Sequence, residues 1–338
     1  MDRMTDSNNN VLVVTEGGKE FGFGHITRCL SIANAFQQRG LDVNFVVNGD
    51  DSIISLFDKT PMIFNWLKNR SKLLEFLEDS QIVLIDSMMI TDAQILDIES
   101  ICNITIFIDD EKRRNVLNSG FVIDWTVLSD EKNYFNFKKN VTYLLGSKYT
   151  PLRSEFRNAE KNPIRESIEK IMISFGGADI RNLSPVILGK LDEFLPGCEK
   201  YVIIGSGYKN VKDIERCKDS NIKLIFNANA SKMVNIMQSV DLAIAGGGQT
   251  LYELAKVGTP TIAILLVENA KDDTEGWCKV GSVDNIGWWN DKNLLLNLKK
   301  SIEILQSKRI RKRMQDNATP YITANGASNI VERILDSL

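Results

Sequence analysis

Short apolar runs alternate with amphipathic segments along the chain of 338 residues. In the first half, apolar runs predict strands at residues 11–15, 41–48, 62–64, 82–86, 104–108, 122–123 and 143–145. The periodicity between these runs predicts helices at 25–39, 52–58, 68–78 and 91–101. Strands that alternate with helices are typical of a parallel, doubly wound α/β sheet, whose functional groups lie at the carboxyl ends of the strands.

The same alternation begins again after a charged stretch, residues 155–170, which we interpret as a surface helix or a linker. The second half predicts strands at 171–175, 200–204, 222–226, 240–245 and 260–266. It predicts helices at 182–195, 209–218, 231–238, 250–257, 292–316 and 325–338. We therefore expect two Rossmann-like domains, residues 1–155 and 156–338, that face a cleft, and the last helix is free to pack back on the first domain.

Charge and cysteine content exclude several classes of protein. The net charge is −3, so neither nucleic acid nor an anionic membrane is an expected partner, and the basic run at 308–313 is interpreted as a solvated helix face. No apolar run reaches the roughly 18 residues of a membrane helix, and the polar start is unlike a secretory signal. Five scattered cysteines and one histidine offer no zinc spacing, so we expect a cytoplasmic protein that needs neither a metal nor another cofactor.

The only histidine, His25, lies where the first predicted strand gives way to the first helix. Gly22 and Gly24 precede it, and a glycine loop at a helix N-terminus directs backbone N–H groups at an anionic ligand. The positive end of the helix disfavours an imidazolium ion, so the pattern predicts a neutral ring that takes a proton from water. A neutral capping or core histidine is the alternative that the position leaves open.

Two glycine loops follow strands of the second half. In residues 246–250, three glycines precede Gln249 and Thr250, which favours close approach of a pyrophosphate, and Glu253 lies within reach of a ribose. The alternative is a tight turn with Glu253 as a helix cap. Residues 176–179 form a second such loop, and two loops at one sheet edge reinforce the prediction of a ligand site.

Carboxylates end two predicted strands of the first half, at Asp86 and at Asp109-Asp110. They are predicted to orient a water or the histidine, or to bind sugar hydroxyls. Capping of strand ends is the alternative, and it is favoured more for Asp109 than for Asp110. The tryptophans at 277, 288 and 289 are interpreted as core or domain-boundary residues.

Residues 22–33 resemble the G-x-G-H-x-x-R-C-L-x-L-A motif of a family of UDP-sugar hydrolases. The family is the UDP-2,4-diacetamido-2,4,6-trideoxy-β-L-altropyranose hydrolases of pseudaminic acid biosynthesis. The resemblance continues in order along the chain, at residues 108–110, 149–156, 174–183, 241–253 and 286–290. Several ordered motifs are more specific than any one of them.

The resemblance implies a two-lobed GT-B fold and metal-free hydrolysis of a UDP-sugar at the anomeric carbon. UDP would bind the second lobe, with Glu253 on the ribose, and His25 would activate the attacking water. The residues that it implies in substrate binding are Gly22, Gly24, Arg28, Asp86, Asp110, Gly176, Gly177, Asp179, Gly247, Gly248, Gln249, Thr250, Glu253 and Asn269.

The chain departs from the family pattern at two positions. Met88 stands where the family has a tyrosine, and Ala270 follows Asn269 where the family has a glutamine. Two other functions therefore stay open: a GT-B glycosyltransferase with a UDP-sugar donor, and a non-catalytic protein that binds sugar nucleotides.

Overall fold

The computed structural model describes residues 10–19, 21–129, 137–209, 211–217 and 221–337. The chain forms two compact units. The first comprises the described residues up to Arg153 together with the segment from Asn325, and the second comprises Ser154–Ala324. The last helix therefore belongs to the first unit although it follows the second in sequence.

The first unit contains seven parallel strands, in the spatial order β3-β2-β1-β4-β5-β6-β7. The strands are β1 Asn10–Gly17, β2 Asp42–Gly49, β3 Met62–Ile63, β4 Ile82–Asp86, β5 Ile104–Ile108, β6 Gly120–Asp124 and β7 Val141–Leu145. The order reverses between β1 and β4, and open α/β sheets bind ligands outside the carboxyl ends of the strands at such a point. The helices of this unit are α1 Gly24–Gln38, α2 Arg70–Leu77 and α3 Asp92–Glu99, with a 3-10 helix at Asp51–Leu56.

The second unit has six parallel strands in the order β10-β9-β8-β11-β12-β13, with the reversal between β8 and β11. The strands are β8 Lys170–Ser174, β9 Glu199–Ile204, β10 Ile222–Phe226, β11 Leu242–Gly246, β12 Thr261–Leu265 and β13 Val283–Trp288. The helices are α4 Leu183–Phe194, α5 Val211–Arg216, α6 Ala230–Ser239, α7 Gln249–Val257, α8 Lys271–Val280, α9 Leu294–Leu305 and α10 Lys308–Ala318. The helix that returns to the first unit is α11 Gly326–Leu335.

The sequence-based elements match the structure except at a few places. β1 is longer than predicted and includes Glu16, and the helix predicted at 52–58 is the 3-10 helix Asp51–Leu56. The single helix predicted at 292–316 is two helices, because Ser307 is extended with φ −68° and ψ 112°. The stretch 155–170 is not a helix: it holds the end of the 3-10 turn Ser154–Phe156 and the first residue of β8. α8 and β13 were not predicted, because their polar residues obscure the apolar pattern.

Buried aliphatic side chains on both faces of each sheet form the cores. Trp277 is fully buried and its ring contacts that of Tyr252, with centroids 5.3 Å apart, so its interpretation as a core residue is confirmed. Of the helices in the part of the chain that the structure describes, none is long and apolar enough to cross a bilayer.

Helix α11 packs against α1. Its first residue, Gly326, is buried against the backbone of Thr150, and a Cβ at this position would overlap the Thr150 carbonyl oxygen. Asn329 also donates a hydrogen bond to the carbonyl oxygen of Lys148, at 2.8 Å. The helix is therefore positioned by close contact between backbones.

Gly326→Ala is expected to destabilise the protein by about 1–3 kcal/mol, because backbone atoms cannot move aside as a side chain can. The measurement is urea unfolding followed by circular dichroism. Gly189→Ala is the control, since that glycine also lies in a helix but has open space around the Cβ position, and it should stabilise by about 0.5–1 kcal/mol. Equal unfolding midpoints for Gly326→Ala and the unsubstituted protein would contradict the close packing of α11.

Candidate active site

Three neighbouring strands of the first unit bring charged side chains to the reversal point of the sheet. His25 lies in the first turn of α1, just after β1, while Asp86 ends β4 and Asp110 follows β5. The backbone reaches α1 through Gly22, which has φ +79°, a value that favours glycine. The site is therefore assembled from strand ends that are far apart in sequence.

His25 is hydrogen-bonded to Asp86 through one ring nitrogen. The Nδ1 atom lies 2.8 Å from Asp86 Oδ1, and both residues are buried. Because an ionised carboxylate can only accept hydrogen bonds, the proton belongs on Nδ1, which donates it to Asp86. This leaves Nε2 as the acceptor of the neutral ring, so the pair has the arrangement of an oriented general base.

Arg28 fills the space between the two carboxylates. Its Nε and Nη2 donate to the two oxygens of Asp86 at 2.7 and 2.6 Å, and Nη1 donates to Asp110 Oδ2 at 2.8 Å. The guanidinium also lies over the ring of Trp125, 4.9 Å from its centroid. Such a bidentate, stacked arginine fixes the geometry of both acids.

Charge and burial compete over the protonation of these groups. Burial lowers the pKa of His25, but the negative charge and hydrogen bond of Asp86 more than offset this, and the pKa is raised above its usual 6.5. The expectation that the positive helix N-terminus disfavours the imidazolium is therefore corrected, because a buried carboxylate in contact with the ring outweighs the helix dipole. Asp86 itself has a lowered pKa, since Arg28 and His25 overcome the effect of its burial.

The two carboxylates after β5 behave differently from Asp86. Burial raises the pKa of Asp109 to about 7, although the Asn115 backbone N–H donates to it at 3.2 Å. Burial also raises the pKa of Asp110 to about 6, against the opposing charge of Arg28. The backbone contact of Asp109 is that of a residue that shapes the following loop, which matches the alternative favoured for it.

These side chains line an open depression in the first unit. Met88 and Ile108 contribute apolar surface, and the remaining lining is charged or polar. Lys112 also lines the depression, and its Nζ donates to the carbonyl oxygen of Met88 at 3.0 Å. The depression can therefore present both an acid–base pair and a small apolar surface to a ligand.

Glu16 is a buried acid of this site that was not predicted from the sequence. Its carboxylate accepts hydrogen bonds from the Ser87 hydroxyl and the Met88 backbone N–H, both at 2.8 Å. Its charge also helps to raise the pKa of His25. The available signal was its position at the end of β1, but the predicted strand stopped at Thr15 and left Glu16 in a loop.

The substrate-binding residues predicted for this unit differ in how much of their surroundings is already filled by the protein itself. Gly22 and Gly24 have open space where a Cβ would stand, but the Gly22 N–H and carbonyl oxygen are already hydrogen-bonded to Gly18, at 2.8 and 2.9 Å. Asp86 accepts hydrogen bonds from His25 and from Arg28, and Arg28 also donates to Asp110. Of the roles left open for Asp86, these contacts correspond to orienting the histidine.

In the second unit, the first glycine loop follows β8. Gly176 has φ +74° and is exposed, as is Gly177. Asp179 is buried, and its two carboxylate oxygens accept the backbone N–H groups of Leu183 and Ser184 at 2.9 and 2.8 Å. These contacts make Asp179 a cap of α4, whereas the resemblance implied a substrate contact.

The second glycine loop lies between β11 and α7. Gly247 packs against Ala270 and Thr274, where a Cβ would stand 2.7 Å from the Ala270 side chain, whereas Gly248 has φ +91° and open space. Gly248 precedes α7 without a side-chain cap, and no acidic residue lies in the first turn, which begins with Gln249 and Thr250. A helix N-terminus without a side-chain cap or an acidic first turn is suited to binding an anion through its backbone N–H groups.

Two further predicted residues lie close to this loop in sequence. Glu253 is the fifth residue of α7 and is buried, so the alternative that made it a cap in the first turn is wrong. Asn269 is exposed in the 3-10 helix Glu268–Ala270 that leads into α8.

Known proteins resemble the chain at low identity, and no family model matches it. An uncharacterised protein of Methanocaldococcus jannaschii is 25% identical over 283 residues, which are 80% of this chain but only 58% of that protein. The spore coat polysaccharide biosynthesis protein SpsG of Bacillus subtilis is 22% identical over 97% of this chain and 98% of its own. UDP-2,4-diacetamido-2,4,6-trideoxy-β-L-altropyranose hydrolase of Campylobacter jejuni is 28% identical over 67% of this chain and 81% of its own.

Solved structures share the fold. MurG of Acinetobacter baumannii has a TM-score of 0.69 at 13% identity, covering 97% of this chain and 99% of that chain. UDP-GlcNAc 2-epimerase of Neisseria meningitidis, bound to UDP-GlcNAc, has a TM-score of 0.67 at 17% identity, covering 97% and 100%. HepE of Anabaena, in complex with UDP-glucose, has a TM-score of 0.62 at 12% identity, covering 97% and 100%. The predicted GT-B fold class is confirmed, and the names of the relatives point to enzymes that act on UDP-sugars.

The pKa of His25 is expected to lie above 6.5, and Asp86→Asn should lower it, because the substitution removes the negative charge in contact with Nδ1. The interaction of protonated His25 with Asp86 therefore adds to the free energy of unfolding. This contribution is fully present at a pH below the unfolded-state pKa of about 6.5, and it is lost as the pH rises through the folded-state pKa. An NMR titration measures the value directly, since the chain has one histidine.

Asp97→Asn is the matched control for this titration, since Asp97 forms an exposed ion pair with Arg70 in the same unit. It should leave the His25 pKa unchanged. A His25 pKa below 6.5 in the unsubstituted protein would contradict the conclusion that the charge of Asp86 outweighs the effect of burial.

Proposed function

We propose that the protein is a UDP-sugar hydrolase that releases UDP and a free sugar of the diacetamido-trideoxy type. The observation that carries this proposal is the hydrogen bond from His25 Nδ1 to the buried Asp86 in an open depression of the first unit. The Campylobacter relative named as such a hydrolase supports it. The product would serve pseudaminic-type or other surface-glycan biosynthesis, which agrees with the name of the Bacillus relative.

His25 acts as the general base in this reaction. Nε2 takes a proton from water while the water oxygen forms a bond to the anomeric carbon, and the bond from that carbon to the diphosphate breaks, so UDP leaves with the electron pair. Asp86 stabilises the imidazolium that forms and holds the ring in one orientation. Since the active form is the neutral ring, the rate should rise with pH through the raised pKa of His25.

The second unit binds the nucleotide in this proposal. The uncapped N-terminus of α7 and the open backbone at Gly248 favour a diphosphate, and Gly176 and Gly177 add exposed backbone at the adjacent strand end. Glu253 contacts the ribose. The HepE structure, which holds UDP-glucose, is a protein of the same fold that binds this class of ligand.

A glycosyltransferase that uses the same donor is the second candidate. It is favoured by Met88, which lines the depression where the resembled hydrolases have a tyrosine, and by the fold shared with MurG. In that case, an acceptor hydroxyl replaces water at His25. The two functions differ in whether UDP is released without an acceptor.

A panel of UDP-, GDP- and CMP-sugars, incubated with and without candidate acceptors, separates these functions. Hydrolysis predicts release of UDP from a diacetamido sugar donor in buffer alone. Release only on addition of an acceptor would replace hydrolysis by transfer, and nucleotide binding without turnover of any donor would contradict both.

His25→Ala is expected to lower kcat by about a hundredfold or more, because the general base is lost. Its affinity for UDP should stay within about twofold, since the nucleotide is assigned to the other unit. The measurements are UDP release and calorimetric titration with UDP. Turnover unchanged by the substitution would exclude His25 as the base.

Glu253→Gln is expected to weaken UDP binding by about tenfold, or about 1.4 kcal/mol, if its carboxylate accepts a hydrogen bond from the ribose. Glu275→Gln is the control, because Glu275 lies in the neighbouring helix α8. An affinity equal to that of the unsubstituted protein would assign Glu253 a structural role only.

A further inference from the structure

We propose that Arg181, oriented by Trp289, binds the diphosphate of the nucleotide in the second unit. The inference rests on the proposed function, since it names a binding residue for the same ligand. It goes beyond the sequence motifs, which assign no role to position 181.

Two contacts hold the Arg181 guanidinium in place. Its Nε donates to the carbonyl oxygen of Leu266 at 3.2 Å, and its central carbon lies 4.6 Å from the centroid of the Trp289 ring. Trp289 is itself tied to β12, since its backbone N–H donates to the Leu265 carbonyl oxygen at 2.9 Å. The side chain is therefore oriented before any ligand binds, which reduces the entropy that binding would cost.

The terminal nitrogens of Arg181 remain available. Within the residues that the structure describes, Nη1 and Nη2 of Arg181 make neither a hydrogen bond nor an ion pair, although the side chain is exposed and oriented. An arginine in an ion pair, such as Arg28, uses these atoms for its carboxylate partners. An oriented guanidinium with free terminal donors is suited to a phosphate group, which it can bind through two hydrogen bonds.

Arg181 follows the first glycine loop in sequence and contacts a residue that packs against the second. It belongs to the segment between β8 and α4, five residues after Gly176. Its partner Leu266 packs against Gly246, where a Cβ would stand 2.8 Å from the Leu266 side chain. Leu266 thus contacts both the Arg181 guanidinium, through its carbonyl oxygen, and the loop that precedes α7, through its side chain.

Arg181 is the basic residue of the two glycine-loop segments, 174–183 and 246–250. Residues 246–250 contain no basic residue, and Arg181 is the one basic residue of 174–183. Backbone N–H groups and helix dipoles supply only partial charges, and a diphosphate carries two or more negative charges. Arg181 therefore supplies the full positive charge that distinguishes a nucleoside diphosphate from the nucleoside.

The test compares the binding of UDP and of uridine by calorimetric titration. Arg181→Ala should weaken UDP binding by about tenfold to a hundredfold and leave uridine binding within about twofold, because only the diphosphate contact is lost. Arg181→Lys should be intermediate, since it keeps the charge without the planar pair of donors. Trp289→Leu should weaken UDP binding by about two- to fivefold, because the guanidinium loses its support.

Arg216→Ala is the matched control, since Arg216 is an exposed arginine of the same unit that pairs with Asp213. It should bind UDP as the unsubstituted protein does. Thermal unfolding of each variant verifies that it is folded. If Arg181→Ala does not fold, the UDP affinity of Arg181→Lys still tests the inference. The affinity of Arg181→Ala for UDP should also fall less steeply with rising salt concentration than that of the unsubstituted protein, because one ionic contact is lost.

Equal UDP affinities for Arg181→Ala and the unsubstituted protein would overturn the inference and leave the proposed function intact. An equal loss of UDP and uridine affinity would also overturn it, because it would indicate disruption of the whole site. Conversely, an Arg181-dependent affinity for UDP together with no hydrolysis of any UDP-sugar would overturn the proposed function and support the inference.

Discussion

The carboxylate of Asp86 is the interaction on which the first unit's site depends. It is buried at the end of a central strand, where an ionised acid is costly unless every oxygen has a donor. His25, Arg28 and Cys29 supply these donors, and all three lie on the first turns of α1. One acid therefore fixes the position of a helix, the tautomer of the histidine and the orientation of the arginine.

The second unit organises its corresponding edge by different means. Both carboxylate oxygens of Asp179 accept backbone N–H groups at the start of α4. At the end of the adjacent strand β11, glycines lead into α7, whose N-terminus has no side-chain cap. The two sheets have equivalent reversals of strand order, at β1 and β4 in one and at β8 and β11 in the other. The chain thus places a hydrogen-bonded histidine–carboxylate pair at one reversal and a helix N-terminus without a side-chain cap at the other.

The periodicity of apolar residues was sufficient to predict nearly all strands, because buried parallel strands are continuous apolar runs. It failed at β13 and α8, where polar residues and Gly287 interrupt the pattern. The location of His25, Asp86 and Asp110 around one depression was predictable, since all three lie at or just after the ends of neighbouring strands. The pairing of Arg28 with two acids, and the raised pKa of His25, depend on distances that a sequence does not contain.

The loop after β4 is anchored through its main chain. The N–H of Met88 is held by Glu16 and its carbonyl oxygen by Lys112, and neither bond involves the thioether side chain. Any amino acid other than proline can make the same two bonds. The side chain at position 88, which lines the depression, can therefore be replaced without loss of the two hydrogen bonds that hold the loop.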